Sequence, residues 1–186
     1  MALAQWQQLQ RTWTFEDLQA LPDDVGWRNF EIIDGALLVS PSTGMRHEFV
    51  SERLRALLRE AGLPDFETVG PIAVDLHPSY RIPDLIVVAA DTARQDVNPV
   101  PVIEVLLAVE VVSAGSETTD RVTKPAQYAA FGIPTYWRVE TRPHVTLTAY
   151  RLEGDGYAHA GTWGPGETAE LVAPFPVSIP IDGITP

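Results

Sequence analysis

The chain has no cysteine, a single lysine and few cations of any kind. Without cysteine there is no disulfide, thiolate metal site or cysteine nucleophile, so any metal must be held by oxygen or histidine. Thirteen basic residues against 25 acidic ones leave a formal net charge of −12, too little cationic surface for a protein that grips nucleic acid over its whole face. No apolar run reaches the roughly 20 residues of a membrane span. The opening segment lacks the charged and apolar regions of a signal peptide, so the expectation is a soluble, cytoplasmic protein with no membrane partner. A glycine-rich phosphate loop and a Gly-X-Ser-X-Gly elbow are both missing, which argues against nucleotide-dependent phosphoryl transfer and against an α/β-hydrolase. His77, His144 and His159 have no mutual spacing that suggests zinc. Repeats, low-complexity blocks and linkers are absent as well.

What is present suits one domain spanning 1–186. Its 45% hydrophobic and 20% charged residues supply an ordinary core, and the length is too short for two comfortable ones. The acids are spread along the chain without an acidic tail, which reads as solvated surface plus a few special positions. Thr14 caps a short helix in "TFEDLQALP", and Asp34-Gly35 between two apolar runs is a strong hairpin signal. The run "GMRHEFVSERLRALLREA" from 44 to 61 has helical period. Val50, Leu54, Leu57, Leu58 and Ala61 form its buried stripe with His47 at the head, and Glu48, Ser51, Glu52, Arg55 and Arg59 face water. Strand-like runs follow at 66–76, 84–90 and 102–113, the last two apolar on both faces, as covered central strands are. "KPAQYAAFGIP" is a short helix closed by Gly132 and Pro134, with Pro125 marking its start. "TYWRVE" and a hairpin around Gly154 to Gly156 come next, and the proline- and glycine-rich tail from Gly161 is expected to wrap the surface with one or two edge strands. The fold class is α/β (α+β): a mixed β-sheet flanked by helices.

Two acids stand where burial should forbid a charge. Asp84 opens the strand of "RIPDLIVV" and Glu110 lies near the end of "LLAVEVVS". An ionised carboxylate in an apolar interior is neutralised, paired or metal-bound. If the strands pair, both carboxylates converge at one rim of the sheet, a site of the kind Mg²⁺ or Mn²⁺ takes. Lys124, the only lysine among 13 basic residues, arrives soon after; its ammonium could stabilise charge growing on phosphorus or help orient or deprotonate a water. The alternative is that each acid is only a strand-end cap or a surface ion-pair partner. Glu31, beside the hairpin turn, is either a third metal-holding acid or an arginine partner. His47 is either a core histidine or part of the site, and Asp120 either a helix cap or a partner of the lysine. Tyr136 and Trp137 read as packing.

Pro-Asp, then Glu-Val-Val, then the sole lysine resembles the PD-(D/E)XK nuclease superfamily. The lysine does not stand two residues after the glutamate, where Val112 is found. That departure, and nearly the whole chain, is similar to the Uma family of restriction endonuclease-like bacterial proteins. "FEIIDGALL" with Glu31, His47 opening the long helix, "RIPDLIVV", "LLAVEVVS" with Ser113, "DRVTKPAQY" with Asp120, Lys124 and Tyr128, and "FGIPTYWRVE" carry the resemblance. It implies a restriction-endonuclease-like fold with Asp84, Glu110 and the backbone carbonyl of Val111 as ligands of Mg²⁺ or Mn²⁺. It further implies Lys124 as cationic catalyst, Glu31 and His47 as auxiliaries, and a nucleic acid substrate, DNA in the first place, reached through a local cleft. A homodimer or higher homo-oligomer is the expected assembly, since small nucleases of this kind often act on two strands. The family's Ser-Pro-Ser-Thr after the glutamate is replaced here by "SAGSETT", a change in the loop over the site. A nuclease-fold binding or scaffold protein without catalysis is the competing reading.

Overall fold

Three apolar strands in the middle of the chain organise the fold: β6 (Leu85–Ala89), β8 (Leu107–Val112) and β9 (Thr135–Glu140). The computed structural model describes residues 12–21, 30–39, 43–95, 97–113 and 118–186. β6 and β8 run antiparallel with Leu85 opposite Val109, while β8 and β9 run parallel with Glu110 opposite Arg138. A parallel pair needs a crossover, and helix α4 (Lys124–Ala130), which follows the single-turn α3 (Ala90–Ala93) in chain order, supplies it. β3 (Phe66–Val69), β10 (Thr146–Glu153) and β11 (Gly156–Trp163) complete a six-stranded sheet ordered β11-β10-β9-β8-β6-β3.

Alternation along β8 separates two cores. Leu107, Val109 and Val111 pack with Val50, Leu54 and Leu58 of the long helix α2 (Met45–Gly62). Ala108 instead packs with Ile86, Val88, Tyr128 and Tyr136 on the α4 side. Glu110 is two residues beyond Ala108 and therefore points toward α4. A smaller sheet, ordered β2-β1-β5-β4-β7, joins β1 (Phe30–Ile33), β2 (Ala36–Val39), β4 (Val74–Leu76), β5 (Ser79–Arg81) and β7 (Val100–Pro101). Its β1–β2 turn has Asp34 at φ 49° and Gly35 at φ 79°, the double left-handed conformation that a two-residue hairpin requires. Helix α1 (Phe15–Gln19), held by a reciprocal Thr14–Asp17 capping box, covers that sheet with Phe15 and Leu18 against Ile32 and Tyr80. No described helix is long and apolar enough to cross a membrane.

Several expectations are corrected. The run 66–76 is two strands in different sheets, because it breaks at Gly70, whose φ of 144° is closed to other residues. Residues 102–104 form a 3₁₀ turn, so β8 begins only at Leu107. The buried arc of α2 takes in Ser51 and Gly62, leaving Leu57 half-buried and Ala61 exposed. Gly62 sits tight against Phe175, and this turns the last helical turn toward the tail. The tail does more than wrap: β12 (Thr168–Leu171), β13 (Val177–Pro180) and helix α5 (Ile181–Ile184) put Ala169, Phe175, Ile179 and Ile184 into the α2-side core. Pro125 does not start the helical path either. A π-helical stretch, Thr119–Thr123, runs into α4, with the Lys124 N–H bonded to the Thr119 carbonyl. Pro125 has no N–H to place, so the wide turn leaves no donor unmet there. The altered loop at 114–117 lies outside the described residues.

The α2-side core predicts its own test. Leu54 is fully buried at the centre of that interface, and Leu54→Ala should lower unfolding free energy by about 2–5 kcal/mol in urea titrations.

Candidate active site

The β6–β8 register brings the start of one strand beside the end of the other, so Asp84 lies next to Glu110 and Val111. Asp84 Oδ2 accepts a 2.7 Å hydrogen bond from the Val111 N–H, a donor at the frayed end of the ladder. The same oxygen is 3.2 Å from His47 Nε2. Burial acts to lower the His47 pKa, but the bond to Asp84 and the charges of Asp84 and Glu48 outweigh it and raise the value above the ordinary 6.5. Asp84 Oδ1 makes no hydrogen bond among the described residues, and the side chain is 21% exposed.

Glu110 is 2% exposed. Its Oε2 accepts a 2.7 Å bond from Lys124 Nζ and its Oε1 a 2.6 Å bond from the Tyr128 hydroxyl. Lys124 and Tyr128 are four residues apart and share one face of α4. Lys124 Nζ also lies 3.4 Å from Asp120 and 3.7 Å from Glu31. Burial works against this ammonium, yet Glu110, Glu31, Asp120 and Asp84 together raise the lysine pKa above its ordinary value. Lys124 is therefore held protonated. Burial likewise pushes Glu110 well upward, with Lys124 opposing, and it raises Tyr128 with help from Glu110.

Glu31 meets the fully buried Arg81 guanidinium at 3.1 Å and accepts the Ile82 N–H at 2.9 Å. Arg81 also donates to Gln127 Oε1 through Nε and Nη2, at 2.8 and 2.6 Å. Of the two roles open to Glu31, the arginine pair is the one observed, with its other oxygen still near the lysine. Asp120 stands as the lysine's partner. Tyr136 and Trp137 are fully buried packing residues, and the Tyr136 hydroxyl donates to the Asp120 carbonyl at 2.6 Å.

The family model described as "Uma2: Putative restriction endonuclease" matches residues 15–182. The chain belongs to the Uma2 family. A solved structure, a "putative nuclease belonging to DUF820" from Anabaena variabilis ATCC 29413, superposes with a TM-score of 0.70 at 14% identity. The match covers 92% of this chain and 97% of that one, so the two share their fold. No curated protein matches the chain.

In this Uma2 chain the five side chains singled out from sequence form two connected groups: Asp84 with His47, and Glu110, Lys124 and Glu31 together. Three residues that the sequence reading passed over support them. Arg81 and Gln127 hold Glu31, and Gly70 packs where a Cβ would run into the Asp84 backbone carbonyl. Arg81 begins "RIPDLIVV", but nothing in a single sequence distinguishes a buried arginine from an exposed one. Among the described residues no group of three or more His, Asp or Glu is arranged as a metal cage. The donor set nonetheless suits a hard cation. Mg²⁺ is commonly held by one or two carboxylates plus substrate oxygens, Asp84 keeps an open oxygen, and each Glu110 oxygen, with one donor on it, keeps a lone pair.

Two outcomes follow for stability. Lys124→Met leaves Glu110 buried without its counter-charge and should cost about 3–5 kcal/mol near neutral pH. Because the Glu110 pKa is raised, acid neutralises the stranded carboxylate, so the deficit should shrink as pH falls in denaturant titrations. Gly70→Ala should destabilise by at least about 1–3 kcal/mol in the same assay, through strain at φ 144° and collision with Asp84.

Proposed function

We propose that the Asp84, Glu110 and Lys124 constellation is the active centre of a metal-dependent endonuclease that hydrolyses phosphodiester bonds of nucleic acid, DNA in the first place. The observation that carries this reading is the convergence of two carboxylates, one just before β6 and one on β8, and the chain's only lysine at one sheet rim. Membership of a family described as restriction endonuclease supports it.

Asp84, Glu110 and the Val111 carbonyl would hold Mg²⁺ or Mn²⁺, which when bound polarises a phosphodiester and acidifies water. The chain's own residues supply the rest. His47 orients Asp84, and Tyr128 fixes the Glu110 carboxylate through its hydroxyl. Lys124 is held as an ammonium, which favours a role as a fixed positive charge beside the phosphoryl oxygens over one as general base. Glu31 shares the lysine's charge and is kept in place by Arg81. Attack by water forms the new P–O bond as the bond to the leaving nucleotide oxygen breaks, with no covalent enzyme intermediate. Small nucleases of this kind often act on both strands of a duplex, which two centres can cut together, so a homodimer or higher homo-oligomer belongs to the proposal, as does a cytoplasmic location.

One observation favours a second reading, a nuclease-fold binding protein without hydrolysis. Both Glu110 oxygens are already engaged in a nearly closed pocket. Calorimetric titration of Mn²⁺ separates the two. Wild type should bind, Asp84→Ala and Glu110→Gln should not, and Lys124→Met should bind but cleave at least about 10²-fold more slowly. Absence of Mn²⁺ binding by wild type, with and without DNA, would leave the binding protein as the answer.

A further inference from the structure

Seven of the ten described arginines are neutralised by a carboxylate. Arg55 pairs with Glu52, Arg59 with Glu67, Arg81 with Glu31, Arg94 with Asp91, and Arg151 with Glu153. Arg121 and Arg138 share Glu140. Three have no carboxylate partner among the described residues: Arg46, Arg53 and Arg142. In a chain of net charge −12 such a set would be expected to scatter. Instead all three are exposed: Arg46 and Arg142 flank the end of the sheet that carries Asp84 and Glu110, and Arg53 continues from Arg46 along α2.

Arg46 adjoins His47, the histidine bound to Asp84, and its Nε donates to the Thr141 carbonyl at 2.9 Å. Thr141 in turn donates its hydroxyl to the Val112 carbonyl, two residues past Glu110, at 3.0 Å. Arg142 is the next residue. Arg53 lies two turns along α2 from Arg46 on the same face, with its guanidinium 3.9 Å over the Phe49 ring and one nitrogen bonded to the Gly183 and Thr185 carbonyls. All these bonds go to neutral acceptors, so they fix direction without cancelling charge. The one acid at this helix end, Glu48, is turned toward Thr43 and His47.

We infer that Arg46, Arg53 and Arg142 form a track for the phosphate backbone of nucleic acid that leads to the carboxylate pair, an inference resting on the nucleic-acid reading of that site. Arg46 and Arg53 are separated by about 10 Å along the helix axis, about three nucleotide steps of 3.4 Å. Arginine suits the role because its planar fork binds phosphate bidentately and stacks on an aromatic ring. The track also explains how a strongly acidic protein engages a polyanion: among the described residues, arginine charge is left without a carboxylate partner only where the strand passes.

The test is fluorescence anisotropy of a labelled 20-base-pair duplex with EDTA present, over a range of NaCl concentrations. Each phosphate contact contributes about 0.9 to the slope of log affinity against log salt. Arg46→Gln, Arg53→Gln and Arg142→Gln combined should flatten the wild-type slope by about 2.7. The three corresponding lysine substitutions should restore most of it, since charge is what is counted. Arg94→Gln with Arg151→Gln should leave the slope unchanged. An unaltered slope in the triple glutamine variant, an equal loss in the Arg94/Arg151 pair, no recovery with lysine, or no duplex binding by wild type would overturn the track. A parallel cleavage assay in Mn²⁺ keeps the two ideas apart. Cleavage by wild type with an unchanged slope in the triple variant discards the track alone, and a track-dependent slope without cleavage discards hydrolysis alone.

Discussion

The Lys124 ammonium and the Glu110 carboxylate make each other tolerable. Either one alone in this nearly dry pocket would have to surrender its charge or pull water in with it. Together, 2.7 Å apart, they set the position of α4 against β8, because the lysine stem has to end on an oxygen fixed to the middle of the sheet. From that contact a chain of polar bonds runs outward. Asp120 faces the lysine, its carbonyl takes the Tyr136 hydroxyl, and Tyr136 stacks on Tyr150 and Tyr157. The crossover between the parallel strands is thus fastened by charge at one end and by aromatic packing at the other.

A second buried pair ties the two large sheets together. Glu31 belongs to β1 of the smaller sheet, Arg81 to β5 beside it, and Gln127 to the helix lying on the larger one. The guanidinium bridges all three with its planar array of donors, a task a lysine could not perform with the same geometry. The candidate site therefore sits on a seam. Its lysine is shared between the sheets through Glu31 and Glu110, which makes the geometry of the site depend on how the sheets dock.

Local chemistry made much of this legible in advance. The Thr14 cap, the Asp34-Gly35 turn, the period of α2 with His47 on its buried side, and the two central strands all follow from patterns within a few residues. No local pattern fixes the pairing of β6 with β8, and the neighbourhood of Asp84 and Glu110 depends on that pairing. What escaped reading was set by tertiary contact. Ser51 is buried although its residue type favours water, and the 66–76 run splits because Gly70 must pass close to the Asp84 backbone. The burial of the tail is illegible because its apolar residues, interrupted by proline and glycine, give no clear period. The role of Arg81 was invisible for the same reason, since a buried arginine is defined by the partners that the fold brings to it.

One lysine and twelve arginines also give the molecule an unusual chemical silhouette. Apart from its amino terminus, this sequence has only one primary amine, and that amine is 8% exposed and held as an ammonium at the centre of the candidate site. Reagents that acylate amines thus find almost nothing on the outside of the protein. Where they do react beyond the terminus, the modified position marks an opening of the β8–α4 contact, so the residue at the centre of the site doubles as a built-in probe of its breathing.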